Sequence, residues 1–307
     1  MVTKKTKALV LFSGGLDSRL AIKLLQEQNL DVEAVFIKLP FGGGCCNNFS
    51  CIFNFSQVSG AKLHTIDASK GDLFQEYIEI IRKPKHGRGT ALNPCKDCKI
   101  FLFKKAKELA DEIGAEIIAT GEVLDQRPMS QRKPALLFDE KKAGLENKIL
   151  RPLSGKILPP TEYEKKGLID REKMLDIQGR QRKVQMELAK KYKIKYPMPG
   201  GGCLLCEKAY CKKIKPLLEK PNITEQDIDL TTVGRYLNKG DIILGRNEDE
   251  NNMLEAIQKK YNQGVLIVPQ EPGPTAFIQD KKYLEEAKEH ISKYSKQQTK
   301  GFEIKEI

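Results

Sequence analysis

Short apolar runs and helical stripes alternate along the first 121 positions. Ala8 to Phe12 is an unbroken apolar run of a buried strand's length. It stops at Ser13-Gly14-Gly15, and a helical pattern follows from Asp17, with Leu20, Ile22, Leu24 and Leu25 as apolar positions. VEAVFIK (32–38) and AKLHTIDAS (61–69) read as a second and third strand, and helical patterns fill 72–82 and 97–113. AEIIATG (115–121) reads as a further strand that ends in a glycine turn. This alternation predicts an α/β fold with a doubly wound parallel sheet, whose ligands bind at the carboxyl ends of the strands. Residues 13–18, the loop after Ile37, and Gly121 then share one rim.

Beyond residue 150 the rhythm changes. A proline-bearing connection covers 151–171, and 171–194 reads as one strongly basic helix. YPMPGGGC (196–203) marks a break, which predicts a catalytic domain over 1–198, a cysteine-bearing connector over 199–220 and a smaller α+β domain over 221–307. In that last domain DIILGR (241–246) reads as a strand. Asn247 is a good N-cap, with Glu250 at the capping-box position of a helix running to about 261. GVLIVP is another strand, EPGPTAF a loop, and residues 281–294 a charged helix.

Composition adds a partner and a compartment. The 307 residues are 40% hydrophobic and 31% charged, with a net charge of +12. Such an excess suits a polyanion, most simply nucleic acid, and the C-terminal third reads as its basic part. No apolar run approaches the ~20 residues of a membrane span, so the expected location is cytoplasmic, with no membrane partner. The basic loop RKPKHGRGTALNP (82–94) fits either a solvated connection or a face turned to nucleic acid.

Strand, glycine turn and helix together make an anion site. Glycines let the backbone approach a phosphate, and the N–H groups of the helix's first turn point at it. Ser13 and Ser18 add hydroxyl donors, and Asp17 puts a carboxylate where a phosphate-bound magnesium ion would sit. Eight cysteines without a signal peptide argue for metal or redox chemistry over a disulfide framework. Cys95 and Cys98 open a helix beside Lys96 and Lys99, a setting expected to lower their pKa values. Cys203 and Cys206 form a second CxxC pair, too distant in sequence for a zinc ribbon. Converging in space, the two pairs would ligate zinc or an iron–sulfur cluster. Cys45, Cys46 and Cys51 read most plainly as part of a glycine-rich loop, and Cys211 carries no assignment.

SGGLDS (13–18) resembles the PP-loop of the N-type ATP pyrophosphatases, which split ATP between its α and β phosphates, usually to adenylate a substrate oxygen. Residues 93–131, NPCKDCK through ATGEVLDQRPMSQ, resemble the central block of the tRNA-thiolating PP-loop enzymes, the 2-thiouridylases and 4-thiouridine synthetases. In the 2-thiouridylases the text is NPCxxCN, a helix, then ATGH; here Glu122 replaces that histidine. Residues 149–192 and 196–205 resemble a sister branch more closely, and VGRYLNKGDIILGRNEDEN (233–251) resembles the RNA-binding module NFACT-R.

The resemblance implies that ATP, bound at Ser13, Gly14, Gly15, Asp17 and Ser18, adenylates a tRNA base carbonyl. Sulfur from sulfide or a persulfide donor then displaces AMP. Ile37, Lys38 and Gly121 would line the adenine and ribose pocket, Arg151 would stabilise phosphate charge, and Arg127 would contact phosphate or RNA. Cys95, Cys98 and Cys203 match the plan of a 4Fe–4S cluster, which is favoured over a persulfide pair. Cys206-Glu207 stands where that branch usually has Thr-Asp, and a fourth thiol there would close the cluster or make a structural zinc site. Two other readings keep the nucleotide fold: an ATP-dependent ligase or sulfur-inserting enzyme for a small molecule, and a non-catalytic RNA-binding protein.

Overall fold

Parallel pairing of four apolar strands builds the N-terminal part of the chain. In the computed structural model the described residues are 5–42, 54–55, 59–127, 129–197, 202–297 and 299–306. The chain divides into two compact units, residues 1–206 and 207–307, a boundary that runs through the span 199–220.

The first unit holds β1 (Lys7–Leu11), α1 (Leu16–Gln26), β2 (Asp31–Lys38) and β3 (Lys62–Asp67). It continues through α2 (Gly71–Arg82), α3 (Cys95–Ile113), β4 (Ile117–Thr120), α4 (Lys133–Ala143), α5 (Glu162–Lys165) and α6 (Lys183–Lys191). The strands lie in the order β3-β2-β1-β4, all parallel. Because strand side chains alternate, Ala8, Val10, Ala34 and Ala119 meet α1 on one face, through Leu20 and Leu24. On the other face Leu9, Val35 and Ile118 meet Phe103, Ala106 and Ala110 of α3. The sheet is thus covered on both sides, the doubly wound arrangement expected. The chain moves from β1 to β2 and β3 on one side and to β4 on the other, so the switch point lies between β1 and β4.

The long basic helix expected over 171–194 is reduced to α6. Backbone pairing takes the preceding residues away from it: Ile177 N donates to Leu153 O at 2.9 Å, and Gly179, at φ 86, donates to Leu124 O at 2.8 Å. Ser154, fully buried, ties the same layers together. Its Oγ donates to Ile177 O at 2.7 Å and accepts from Leu124 N at 2.9 Å.

The second unit contains α7 (Lys208–Glu219), α8 (Glu225–Thr231), β5 (Arg235–Leu237), β6 (Ile242–Leu244) and α9 (Glu248–Tyr261). Then come β7 (Val265–Pro269), β8 (Ala276–Ile278), α10 (Leu284–Tyr294) and β9 (Phe302–Lys305). Its antiparallel sheet runs β5-β6-β8-β7-β9. Asn247 caps α9 as expected, accepting from Glu250 N at 2.9 Å. The Glu250 carboxylate instead accepts from Arg246 N at 2.8 Å and Nε at 2.9 Å. The segment expected to be a loop, EPGPTAF, ends as the buried strand β8. Strand β9, in the segment read as a tail, is held by pairing with β7, and its Phe302 packs on the core.

Charge is divided unevenly between the units. Residues 207–307 carry 17 Lys or Arg and 17 Asp or Glu, so the excess of +12 belongs wholly to residues 1–206. The C-terminal third is therefore not the basic part that its lysine-rich text suggested. Among the described residues no helix is long and apolar enough to cross a membrane.

Replacing Ser154 by alanine leaves the buried Leu124 N–H and Ile177 carbonyl unpaired, and is expected to cost about 1–3 kcal/mol of stability. Denaturant unfolding of the two proteins, compared at equal m-value, measures this.

Candidate active site

At the end of β1 the chain turns through Gly14, at φ 80, a conformation natural only to glycine. Gly15 follows as the N-cap of α1, and no side chain caps that helix end. The N–H groups of the first turn are left to whatever docks there, which suits an anion. Ser18 Oγ donates to Gly15 O at 2.9 Å, and Ser13 Oγ lies 3.4 Å from Ser18 Oγ.

Arg19, 3% exposed, braces the turn from behind. Its Nε donates to Gly14 O at 2.8 Å and its NH1 to Lys195 O at 3.0 Å, with the guanidinium 4.5 Å from the Phe55 ring centroid. Sequence reasoning passed over Arg19; the available signal was a charge set among apolar residues of a helix that packs on a sheet.

Asp17 Oδ2 accepts from Gln126 Nε2 at 3.0 Å and from Arg182 at 3.4 Å. Its Oδ1 is buried and has no hydrogen-bond partner. An orphaned carboxylate oxygen beside a phosphate-type loop fits a hard cation such as magnesium. Gly121, after β4, presses directly on this loop. A Cβ there would stand 2.4 Å from Ser18 N and 2.6 Å from the carbonyl carbon of Asp17, so only glycine permits the approach.

A cleft of about 460 Å³ opens over the loop. Its lining includes Ser13, Asp17, Ile37 and Gly121 and also Tyr77, Cys98 and Cys203. Lys99, Glu122, Arg127 and Arg182 contribute charge to the same lining. Five expected residues are absent from this lining: Gly14, Lys38, Cys95, Arg151 and Cys206. Lys38 is exposed and pairs with Asp67 at 3.5 Å. Arg151, 4% exposed, is not in the wall but behind it. Its Nε donates to Glu122 Oε2 at 3.0 Å, and its NH1 pairs with Glu140. Two carboxylates already hold that guanidinium, so it acts on the cleft through Glu122.

Glu122 in turn grips Lys99, whose Nζ also donates to Ser130 O at 3.2 Å. Burial alone would raise the Glu122 pKa; the charges of Lys99 and Arg151 overcome that and hold it at about 2. Asp139, 1% exposed, shows the reverse balance, for burial lifts it to about 6.

Backbone bonds bring the cysteine segments together. Leu92 N donates to Leu205 O at 3.1 Å, and Leu204 N to Phe41 O at 3.0 Å. Cys95, Cys98, Cys203 and Cys206 become electrostatic neighbours as a result. The lowered pKa expected at the start of α3 is not found for Cys98. Burial pushes that thiol up to about 11 despite Lys99 and the Tyr77 hydroxyl, which donates to its sulfur at 3.1 Å. Burial likewise lifts Cys203 to about 12.

Four thiols drawn together would be a donor set suited to zinc or an iron–sulfur cluster. Among the described residues, however, no three His, Cys, Asp or Glu side chains are gathered as a metal site. Cys211 lies in the second unit. Cys45, Cys46 and Cys51 fall outside the described residues.

Residues 6–143 match the family model described as the tRNA methyl transferase HUP domain. The chain is 32% identical over 117 residues to the tRNA-specific 2-thiouridylase MnmA of a Nitratiruptor species, covering 38% of this chain and 34% of that protein. It is 31% identical over 127 residues to the MnmA of Clostridium acetobutylicum, covering 38% and 35%. The likeness to that HUP domain is confined to residues 6–143, less than half of the chain. The chain spans about a third of the length of these curated relatives.

Partial likenesses extend to two solved structures. One is a 4-thiouridine synthetase–RNA complex with bound ATP, at 19% identity and TM-score 0.43, covering 66% of this chain and 45% of that one. The other is the U34-tRNA thiolase NcsA of Methanococcus maripaludis with its [4Fe-4S] cluster, at 17% identity and TM-score 0.37, covering 70% and 67%.

The two glycines of the loop separate folding from ligand binding. At Gly15, φ −75, an added Cβ meets only Ser13 Oγ at 3.6 Å. Gly15→Ala is therefore expected to melt within about 2 °C of the parent while its affinity for ATP drops at least about tenfold. Gly121→Ala, which meets backbone, is expected to lower both; thermal melts and calorimetric ATP titrations distinguish the two.

Asp139 gives a pH signature. Between 3.8 and about 6 the folded protein holds a proton that the unfolded chain has released, so this group's contribution to stability falls as pH rises through that window. Asp139→Asn lacks that proton exchange. Its stability relative to the parent is expected to rise by at most on the order of 2–3 kcal/mol from pH 4 to pH 7, read by denaturant unfolding at each pH.

Proposed function

We propose that this chain is an ATP-dependent tRNA sulfurtransferase, which adenylates a base carbonyl and replaces its oxygen with sulfur. One observation carries the reading: a single cleft is lined both by residues of the PP-loop and by Cys98 and Cys203. Activation of an oxygen and delivery of sulfur need such adjacency, because the adenylated base must meet the sulfur before water does.

The phosphates of ATP dock on the N–H groups at the start of α1 and on the hydroxyls of Ser13 and Ser18. Asp17, whose Oδ1 has no other partner, would hold magnesium, which when bound would supply a Lewis acid for the phosphate oxygens. Ile37 and Gly121 line the nucleoside part of the pocket. The base carbonyl oxygen attacks the α phosphorus, and the bond to the β phosphate breaks, releasing pyrophosphate. Arg182, on the wall beside Asp17, offers positive charge to that transfer. A sulfur nucleophile then attacks the activated ring carbon, and AMP leaves with the original oxygen. Lys99, held in place by Glu122, keeps a fixed cation in the same lining.

The cysteine quartet is the sulfur-handling part of the site. In our reading Cys95, Cys98 and Cys203 hold a 4Fe–4S cluster, which when bound would present sulfide to the substrate; zinc or a persulfide pair are the alternatives.

Full-length Cys98→Ala/Cys203→Ala protein is expected to release pyrophosphate from ATP in the presence of tRNA within about threefold of the parent. It should form no thionucleoside when digested tRNA is analysed by mass spectrometry. Asp17→Asn should lose pyrophosphate release by at least about 100-fold. A parent enzyme that makes no thionucleoside from any supplied sulfide or persulfide would sink the proposal. For the cluster, anaerobically purified protein should contain iron and acid-labile sulfide, both lost on changing Cys95, Cys98 and Cys203 to alanine. Stoichiometric zinc in a colourless protein would overturn that part alone.

A further inference from the structure

Two stretches of the first unit are strongly basic, and the structure uses them differently. In residues 82–88 part of the charge is tied down. Arg82 pairs with Glu79 at 2.7 Å, Arg88 donates to Ile81 O at 2.9 Å and Arg82 O at 3.1 Å, and His86 Nδ1 meets Asp97 at 2.8 Å. Lys83, Lys85 and Arg88 are nevertheless exposed, so this loop offers a smaller set of outward cations.

Residues 180–195 carry the larger outward excess. They carry Arg180, Arg182, Lys183, Lys190, Lys191, Lys193 and Lys195 against a single acid, Glu187, and so supply half of the net charge of +12. All of these cations but Arg182 are exposed. Among the described residues only Arg182 of this group pairs with a carboxylate, that of Asp17. Helix α6 packs its other face on α1, burying Gln185 and Ala189, so the lysine-bearing face is fixed to the helix that carries the PP-loop. Val184 and Met186 stand 46% and 47% exposed among the lysines. At its near end the strip runs into the cleft wall through Arg182.

We propose that tRNA is gripped by the basic strip of residues 180–195, helix α6 and its flanks, and enters the cleft past Arg182. This rests on the reading of the cleft as a tRNA-thiolating site. Charge complementarity selects the occupant, since seven cations without acidic partners beyond Asp17 match a row of phosphates, and phosphate contacts set position and orientation. Residues 207–307, electrically balanced, do not supply the main electrostatic grip.

Binding of an unmodified tRNA transcript to the full-length protein, without ATP, tests the grip separately from the chemistry. Fluorescence anisotropy would be followed across a series of salt concentrations. Lys183, Lys190, Lys191 and Lys193 changed together to glutamine should weaken binding at least about tenfold at physiological salt. The same change should flatten the slope of log K against log[salt] by about 0.7–0.9 for each phosphate that is no longer neutralised. The same four positions changed to arginine should keep both values. Lys281, Lys282, Lys288 and Lys293 changed to glutamine, in the second unit, should alter affinity less than about threefold.

An unchanged affinity and slope in the first variant, or the larger loss in the last one, overturns the inference and leaves the sulfurtransferase reading standing. Absence of tRNA binding by the parent overturns both. Equal binding of the parent to anionic lipid vesicles, with the same dependence on these lysines, would reassign the strip to a membrane surface.

Discussion

Everything at the candidate site hangs on how closely Gly121 approaches the backbone of Asp17 and Ser18. Parallel pairing of β1 with β4 puts the two strand ends side by side. The absence of a side chain at Gly121 then lets the β4 loop lie flat against the first turn of α1. Without that approach the anion-binding turn and the charged wall of Lys99, Glu122, Gln126 and Arg127 would have no fixed relation. The switch point of a doubly wound sheet opens a crevice in any such fold. Here a missing methyl group decides how its two walls register.

Electrostatics then divides the crevice into parts with different tasks. Glu122 remains ionised because two cations offset its burial, and by staying ionised it anchors Lys99 in the wall. Both residues stand where the 2-thiouridylase text differs: Lys99 follows the second cysteine, in place of asparagine, and Glu122 follows ATG, in place of histidine. Their side chains are paired in this fold, so the two departures act as one exchange. Replacing Glu122 alone would leave Lys99 without its carboxylate, whereas replacing Lys99 alone leaves Glu122 still paired with Arg151.

Legibility followed the range of the interactions. The four strands of the first unit, the glycine turn and helices α1 to α3 could be read locally, since apolar period and turn residues suffice for them. Ser13, Asp17, Ile37, Gly121, Cys98 and Cys203 were picked from motifs, and all line the cleft. Arg151 and Lys38 came from analogy, and their surroundings depend on partners distant in sequence, Glu140 and Asp67, that no local pattern announces. Arg19 and Arg182 were passed over for the same reason, because what makes them part of the site is the carbonyl of Gly14 and the carboxylate of Asp17. For the Cys98 thiol the expectation erred in sign. A helix start with adjacent lysines argues for easy ionisation, but burial against Tyr77 outweighs both. Strand β8 and the shortened basic helix show the converse case, where tertiary backbone pairing overrules local propensity.

The location of charge is where whole-chain composition misled most. A net excess suggests a polyanion without saying which part of the chain meets it, and lysine-rich text in the C-terminal third invited the wrong assignment. Charges exert useful attraction only within about 8 Å at physiological ionic strength. A cation can therefore guide a nucleotide into the cleft only if it lies near the path, and balanced acids beside it cancel the effect. Residues 180–195 meet both conditions: they set seven cations against one acid, Glu187, and Arg182 joins them to Asp17. The same arginine belongs to the basic strip and to the wall beside the PP-loop. A phosphate held there by the strip would bring its nucleoside within reach of both the activating loop and the thiols beyond it.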